Sequence, residues 1–424
     1  MPLIALPSAY VSSQQRLPFS VFDAKGNLLL GAGRPLTDGV AQRIGDGQAM
    51  YADADEVGPW REVITNTLRQ LSRRPTPTGM PGQVRVVGVN LKSAASLVDT
   101  SQGDPVVNAR AVLDRPSNKQ NAGTLVDEGR SIANTLVASL RDSSRLDVDW
   151  LTGCVVALAY ARELAFRAPE VALFLPMQHC AHSYTAYSAN HGLLCAVLAE
   201  RVAHLLGWPE PEIDALTCAA VTMNVGMSQL QDQLAQQSDA LRPDQRRIVD
   251  EHPEAGARLL EQAGVTDPLW LEIVRLHHRH DLIERQDTEP AARLARLLQL
   301  VDRYTAKMSR RKGRVPMSSL AAARDTCVPR QGQPDALASA LLKSLGLYPP
   351  GSYVRLASGE IGVVVACGAR ADRPRVAVMM GNSGLPLGDP VLRDTTQAGR
   401  EVVAALSAAE VQVRMPPERL LALV

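Results

Sequence analysis

His191, His252, His277, His278 and Asp302 are the side chains of this 424-residue chain whose types and spacing suit metal chemistry. Helical bundles bind hard or borderline cations with imidazoles and carboxylates drawn from several helices. His277 and His278 are adjacent, so a continuous helix would point them about 100° apart. They are expected to serve two neighbouring ions, or one ion and a substrate, and not to chelate one ion in the His-x-x-x-His manner. Asp302 lies in LLQLVDRYTAKM among Leu298, Val301 and Ala306. A carboxylate on such an apolar face is costly unless it is paired or bound. The bland alternative is an ion pair with Arg303 or Arg293. His204 is expected to be a hydrogen-bonded core histidine, and His280 a surface residue near a helix end. Ser309-Arg310-Arg311-Lys312-Gly313-Arg314 is a basic cluster. It is either an anion contact or a solvated helix end whose cations suit the helix dipole.

The elements that must carry these residues are helical. From Thr124 the apolar residues Leu125, Ile132, Leu136 and Leu140 share a face, and WLTGCVVALAYARELAF continues as an apolar helix. Further helices are expected over 187–206, 212–222, 243–249, 253–263, 268–280 and 290–310. Asp267-Pro268 has the form of an N-cap followed by proline, and His252-Pro253 is read the same way, so that His252 begins a helix. Gly264 is placed to end the second of these helices. Before the bundle, LPFSVFD and NLLLGAG flank a turn at Ala24–Asn27, as in a hairpin. A short helix is expected from Thr37 to Ile44. SRRPTPTGMPG, residues 72–82, reads as a linker, with strand candidates QVRVVGVNL and VVNARAVLD beyond it. After the bundle, GSYVRLASGEIGVVVACG and RPRVAVMM alternate like antiparallel strands turning at Ser358-Gly359, and residues 398–424 are expected to be a short helix and an extended tail.

Composition narrows the function. A hydrophobic fraction of 46% supports real cores. A net charge of +1 and an aromatic fraction of 4% argue against a nucleic-acid polymer as partner, which needs many cations or stacking rings. Six cysteines form no CxxC pair and are expected to be buried free thiols of a cytoplasmic protein. No apolar run approaches the roughly 20 residues of a membrane span.

The order of the blocks is more informative than any one of them. YSANHGLLCAVLAERVAHLLGW, AAVTMNVGMSQL, LRPDQRRIVDEHPEAGARLL, LHHRHD and LVDRYTA resemble, in that order, the HD-GYP branch of the HD phosphohydrolases. Tyr348-Pro349-Pro350-Gly351 through Gly359-Glu360-Ile361-Gly362-Val363 is similar to a C-terminal element of many members. The resemblance implies a multidomain, mainly α protein. It would have a small β-rich module over 1–60, a linker able to hold a β-hairpin over 61–120, an all-α HD-type bundle over 121–348 and a small β-rich unit over 349–424.

That family hydrolyses cyclic di-GMP with two or three ions, commonly iron or manganese. By resemblance His191, His252, His277, His278 and Asp302 match metal ligands, and Arg311 and Arg314 match positions near the nucleotide phosphates. The centre departs from the pattern. Met223, Asn224 and Met227 stand where the family has a ligand His, a bridging Asp and a catalytic Lys. Arg279 to Glu284 replace the GYP signature, and Tyr187 stands where some members have Glu. Neutral Asn224 cannot offset the repulsion of two cations, and a thioether is a poor ligand for hard ions. The expectation is therefore a degenerate signalling protein without phosphodiesterase turnover. It would hold no ion or a single divalent one, iron or manganese by resemblance. Its expected partners are cyclic di-GMP and bacterial signalling proteins, with a homodimer compatible. The alternative is an active phosphohydrolase with a rearranged mono-metal site.

Overall fold

A computed structural model describes residues 3–6, 20–23, 26–31, 50–53, 121–143, 148–279, 289–328, 335–368 and 370–424. The Thr37–Ile44 helix, the 72–82 linker, both strand candidates after it, and His280 with the Asp281–Glu284 stretch lie outside these residues.

The N-terminal strands are β1 (Leu3–Leu6), β2 (Val21–Phe22), β3 (Leu28–Leu30) and β4 (Met50–Asp53), in the antiparallel order β1-β4-β2-β3. The expected hairpin joins β2 to β3. Asp23 closes its turn by accepting from the Asn27 backbone and side-chain nitrogens, each at 2.9 Å.

The bundle runs through α1 (Ala122–Asp142), α2 (Val148–Arg167), α3 (Pro169–His182), α4 (Tyr187–Leu205), α5 (Glu210–Thr222), α6 (Ser228–Ala235), α7 (Pro243–Gln262), α8 (Pro268–Leu276), α9 (Pro290–Met308), α10 (Ser319–Cys327) and α11 (Ala336–Leu345). One apolar core spans them, from Ile132 on α1 to Leu341 on α11. At its centre α4 crosses α5 closely. A Cβ on Gly192 would lie 3.2 Å from the Ala220 carbonyl oxygen, so glycine next to His191 lets the two backbones approach.

Two expected helices are one. Residues 243–249 and 253–263 form the unbroken α7, with Pro253 inside it and His252 near its middle, not at a start. A proline does not stop a helix when the carbonyl it leaves orphaned finds another donor. α8 stops at Leu276, short of the expected 280, and α3 was not foreseen because APEVALFLPMQHCAH is apolar all round and contains Pro176. The cap readings at Asp267 and Gly264 hold: the Asp267 carboxylate accepts from the Leu269 amide at 2.8 Å, and Gly264 has φ +96°.

The C-terminal sheet comprises β5 (Tyr353–Leu356), β6 (Ile361–Ala366), β7 (Arg375–Met380), β8 (Pro386–Asp394) and β9 (Val402–Leu406), in the antiparallel order β8-β7-β6-β5-β9. The expected extended tail is corrected here, since β9 pairs with β5 before the short helix α12 (Pro417–Leu421). Alternate residues face opposite ways. Tyr353, Val363 and Val365 pack with Val126, Val171 and Phe174 of α1 and α3, while Val354, Val364 and Val376 form a second apolar layer. β6 is therefore buried on both faces. Among the described residues no helix is long and apolar enough to cross a membrane.

Candidate metal centre

The expected ligands assemble, in two groups. His252, His277 and His278 place ring nitrogens within 4.8 Å of one another, and His191 and Asp302 do the same together with Cys195. His277 and His278 converge because α8 has ended. His277 is the C-cap residue and His278 lies beyond it, so the 100° separation of a continuous helix does not apply.

In the first group the backbone sets the tautomers. Pro253 has no N–H to give to the Val249 carbonyl four residues earlier. The His252 Nδ1–H donates to that carbonyl at 2.6 Å instead. The His277 Nδ1–H donates at 2.6 Å to the Val274 carbonyl, which the end of α8 leaves open. A carbonyl only accepts, so both protons sit on Nδ1 and both Nε2 atoms carry lone pairs. These face each other at 3.2 Å. Both rings are fully buried, and both stay neutral at ordinary pH: burial lowers His252 to about 4, and burial with its neighbours His278 and His252 lowers His277 to about 3. Two neutral rings with opposed lone pairs repel unless a cation lies between them. Ligand nitrogens around a tetrahedral ion with bonds of about 2.0–2.1 Å lie about 3.3 Å apart. The donor set fits a divalent cation held by His252, His277 and His278. Such an ion would supply a polarised water or a Lewis-acidic contact to phosphate.

In the second group the His191 Nε2 lies 2.7 Å from Asp302 Oδ1. Burial would raise the Asp302 carboxyl. The hydrogen bond and charge of His191 chiefly outweigh it and hold the group well below the usual carboxylate range. The expected ion pairs are not made: Arg293 pairs with Glu212, and Asp302 takes His191. Cys195, expected only as a buried free thiol, belongs to this group. Its Sγ is 3.7 Å from His191 Nε2 and 3.2 Å from Thr305 Oγ1. The signal was the spacing, since residues four apart on a helix share a face.

The turn after α5 presses on this centre. A Cβ at Gly226 would lie 2.6 Å from the His252 carbonyl oxygen and 2.7 Å from the Gly256 nitrogen. The buried Trp270 Nε1–H donates to Thr222 Oγ1 at 2.9 Å, which fixes the end of α5 one residue before Met223. Met223 is fully buried, Asn224 is buried, and Met227 is half-buried. Asp302 is the one carboxylate in the two donor groups among the described residues.

The basic cluster lies beyond the end of α9, in a tight turn bridged between Arg311 and Arg314, so it is not the last helical turn. Arg311 stacks 4.8 Å over the Tyr187 ring and donates to its hydroxyl at 2.7 and 3.2 Å. Tyr187 stacks in turn on His191, with ring centroids 5.2 Å apart and planes 15° from parallel. Arg314 donates to the Ala306 carbonyl. A cavity of about 710 Å³ opens beside them. Arg310, Arg311, Lys312, Arg314 and Arg414 line it, with no carboxylate among the described lining residues. His204 is corrected: it is exposed at the end of α4, 3.5 Å from Glu200 and 3.8 Å from Glu210.

At the centre of the bundle, histidines from α4, α7 and the end of α8 thus meet one aspartate of α9. Residues 176–333 match the HD domain family. A cyclic di-GMP phosphodiesterase of Pseudomonas aeruginosa is 27% identical over 222 residues, covering 50% of this chain and 53% of that protein. The chain thus aligns with about half the length of that relative. Among solved structures an HDGYP protein of Bdellovibrio bacteriovorus is similar at 16% identity and a TM-score of 0.43, covering 81% of this chain and 99% of that one. Residues 176–333 thus carry an HD domain.

Proposed function

We propose that this is a degenerate HD-GYP-type signalling protein that binds cyclic di-GMP without hydrolysing it and acts as a regulatory or scaffold protein. The observation that carries the reading is the charge at the centre: Asp302 is the single carboxylate in its two donor groups, and Asn224 supplies no second one. A carboxylate-bridged pair of cations needs anionic charge between the ions, and without it their repulsion is unrelieved. Met227 likewise offers no charge to a phosphoryl transition state. Retained binding is supported by the cation-lined cavity at Arg311 and Arg314, because phosphodiesters are held by guanidinium groups. Calorimetry with cyclic di-GMP, paired with a hydrolysis assay in added iron or manganese, tests the reading. Binding without metal-dependent product is expected, and ordinary enzymatic turnover would refute it.

A second reading has its own support. The opposed Nε2 atoms of His252 and His277 suit one ion, iron or manganese by family resemblance, and a mono-metal phosphohydrolase is the alternative function. Metal content below about a tenth of an equivalent, unrescued by added iron or manganese, would eliminate it.

A further inference from the structure

We propose that Cys195 is a metal ligand, and that His191, Cys195 and Asp302 form a separate mononuclear site for a borderline-soft cation, zinc above all. The proposal goes beyond the nucleotide-binding reading and does not depend on it.

Cys195 and His191 are spaced as two corners of a tetrahedron, and Asp302, now hydrogen-bonded to His191 at 2.7 Å, would turn from that bond to supply the third. Bonds of about 2.3 Å to sulfur and about 2.0–2.1 Å to nitrogen place the two donors about 3.6 Å apart. Cys195 Sγ and His191 Nε2 are 3.7 Å apart. The carboxylate oxygen of Asp302 lies within 4.8 Å of both. The Asp302 side chain keeps about 15% of its surface exposed, the side from which a fourth ligand, a water or a substrate oxygen, would reach the site.

The protons have somewhere to go. Without an ion, the His191 proton on Nε2 is shared with Asp302 at 2.7 Å. Thr305 Oγ1 waits on the other side of the ring, 3.5 Å from Nδ1, and also touches Sγ at 3.2 Å. When a cation arrives, the Cys195 thiol releases its proton to solvent and the metal–sulfur bond forms. The His191 proton moves to Nδ1, where Thr305 accepts it, and the Nε2 lone pair turns to the ion.

Charge explains why this half can hold a cation without a bridge. A thiolate and a carboxylate together carry two negative charges and neutralise a divalent ion within the bundle core. The three-histidine half has no anion of its own. A thiolate also shifts preference from manganese toward zinc.

Cobalt(II), used as a probe on the full-length protein, tests this. Cobalt bound to the unmutated chain is expected to show a sulfur-to-cobalt charge-transfer band in the near ultraviolet. Cys195→Ser is expected to abolish the band and lower zinc affinity by on the order of 100-fold, with manganese affinity changed by less than about threefold. His252→Ala, in the other half, and Cys218→Ser, a buried thiol elsewhere in the core, are expected to keep it. Zinc-edge X-ray absorption on the unmutated protein needs no variant, and one sulfur scatterer is expected. A cobalt-loaded protein without the band, an undiminished band in Cys195→Ser, a zinc shell without sulfur, or no cobalt binding would each overturn the proposal. No readout involves cyclic di-GMP, so its failure is distinct from failure of the proposed function.

Discussion

Pro253 shows how a side chain that could not itself bind a cation can orient the candidate ligands beside it. By lacking an N–H it gives the Val249 carbonyl to His252, and the ring's lone pair then faces His277. Replacing it with alanine restores the competing N–H. Pro253→Ala is expected to weaken manganese binding by about tenfold or more, the usual penalty for loosening a ligand's orientation. Thermal stability should hold or rise, because proline costs about 3 kcal/mol of intrinsic helix propensity relative to alanine. A manganese titration and a melting curve on one sample check both signs, and weakened binding together with a lower melting temperature would contradict the account. That the candidate histidines and Asp302 belong together was legible in the sequence because their order along the chain resembles a family. Their grouping was not, since it depends on where α8 ends. Cys195 was missed because a thiol in an apolar helix looks inert until its neighbours are known.

At the scale of elements, two features hold the centre in place. The turn at Gly226 lies against α7 with no room for a methyl group, so Gly226→Ala must push His252 and Gly256 away. A loss of about 1–3 kcal/mol is expected from such overpacking, read from urea denaturation midpoints, and an unchanged midpoint would show that the turn is not seated on α7. Farther from the centre, Arg162 of α2 ties α4 to α5 through buried contacts to Glu200, at 2.6 Å, and to Asp214. Arg162→Met leaves both carboxylates buried without their cation. Breaking a buried pair this way costs about 3–5 kcal/mol, and a loss under about 1 kcal/mol would mean that water reaches the carboxylates. Periodicity found α4, α5 and α9 because each has a patterned face or clear end signals. It failed at α3, apolar all round, and at α7, where Pro253 looked like a boundary. β9 was missed because EVVAALSAAE has helix-forming alanines, and only its pairing with β5 makes it a strand.

For the whole molecule, the C-terminal sheet is fastened to the bundle by a short polar chain. Tyr353 donates to Gln178 at 3.0 Å, so the contact at 2.7 Å from His182 Nε2 must be a donation from the histidine. Burial, then the charges of Arg414 and Arg310, lower His182 to about 4 from an ordinary 6.5. Between those values the unfolded chain takes up a proton that the folded chain refuses, so stability falls as pH falls through that window. His182→Gln should flatten the decline in denaturation midpoint from pH 6.5 to about 4, and an unaltered slope would remove His182 as a cause. At this scale an α bundle with flanking β units was readable from changes of period alone, whereas the proposed loss of turnover rests on Met223, Asn224 and Met227 at its centre. The most direct test of the account is cyclic di-GMP hydrolysis by the purified full-length protein after reconstitution with iron, manganese or zinc. Nucleotide binding without metal-dependent product is the predicted result, and metal-dependent cleavage at ordinary enzymatic rates would contradict it.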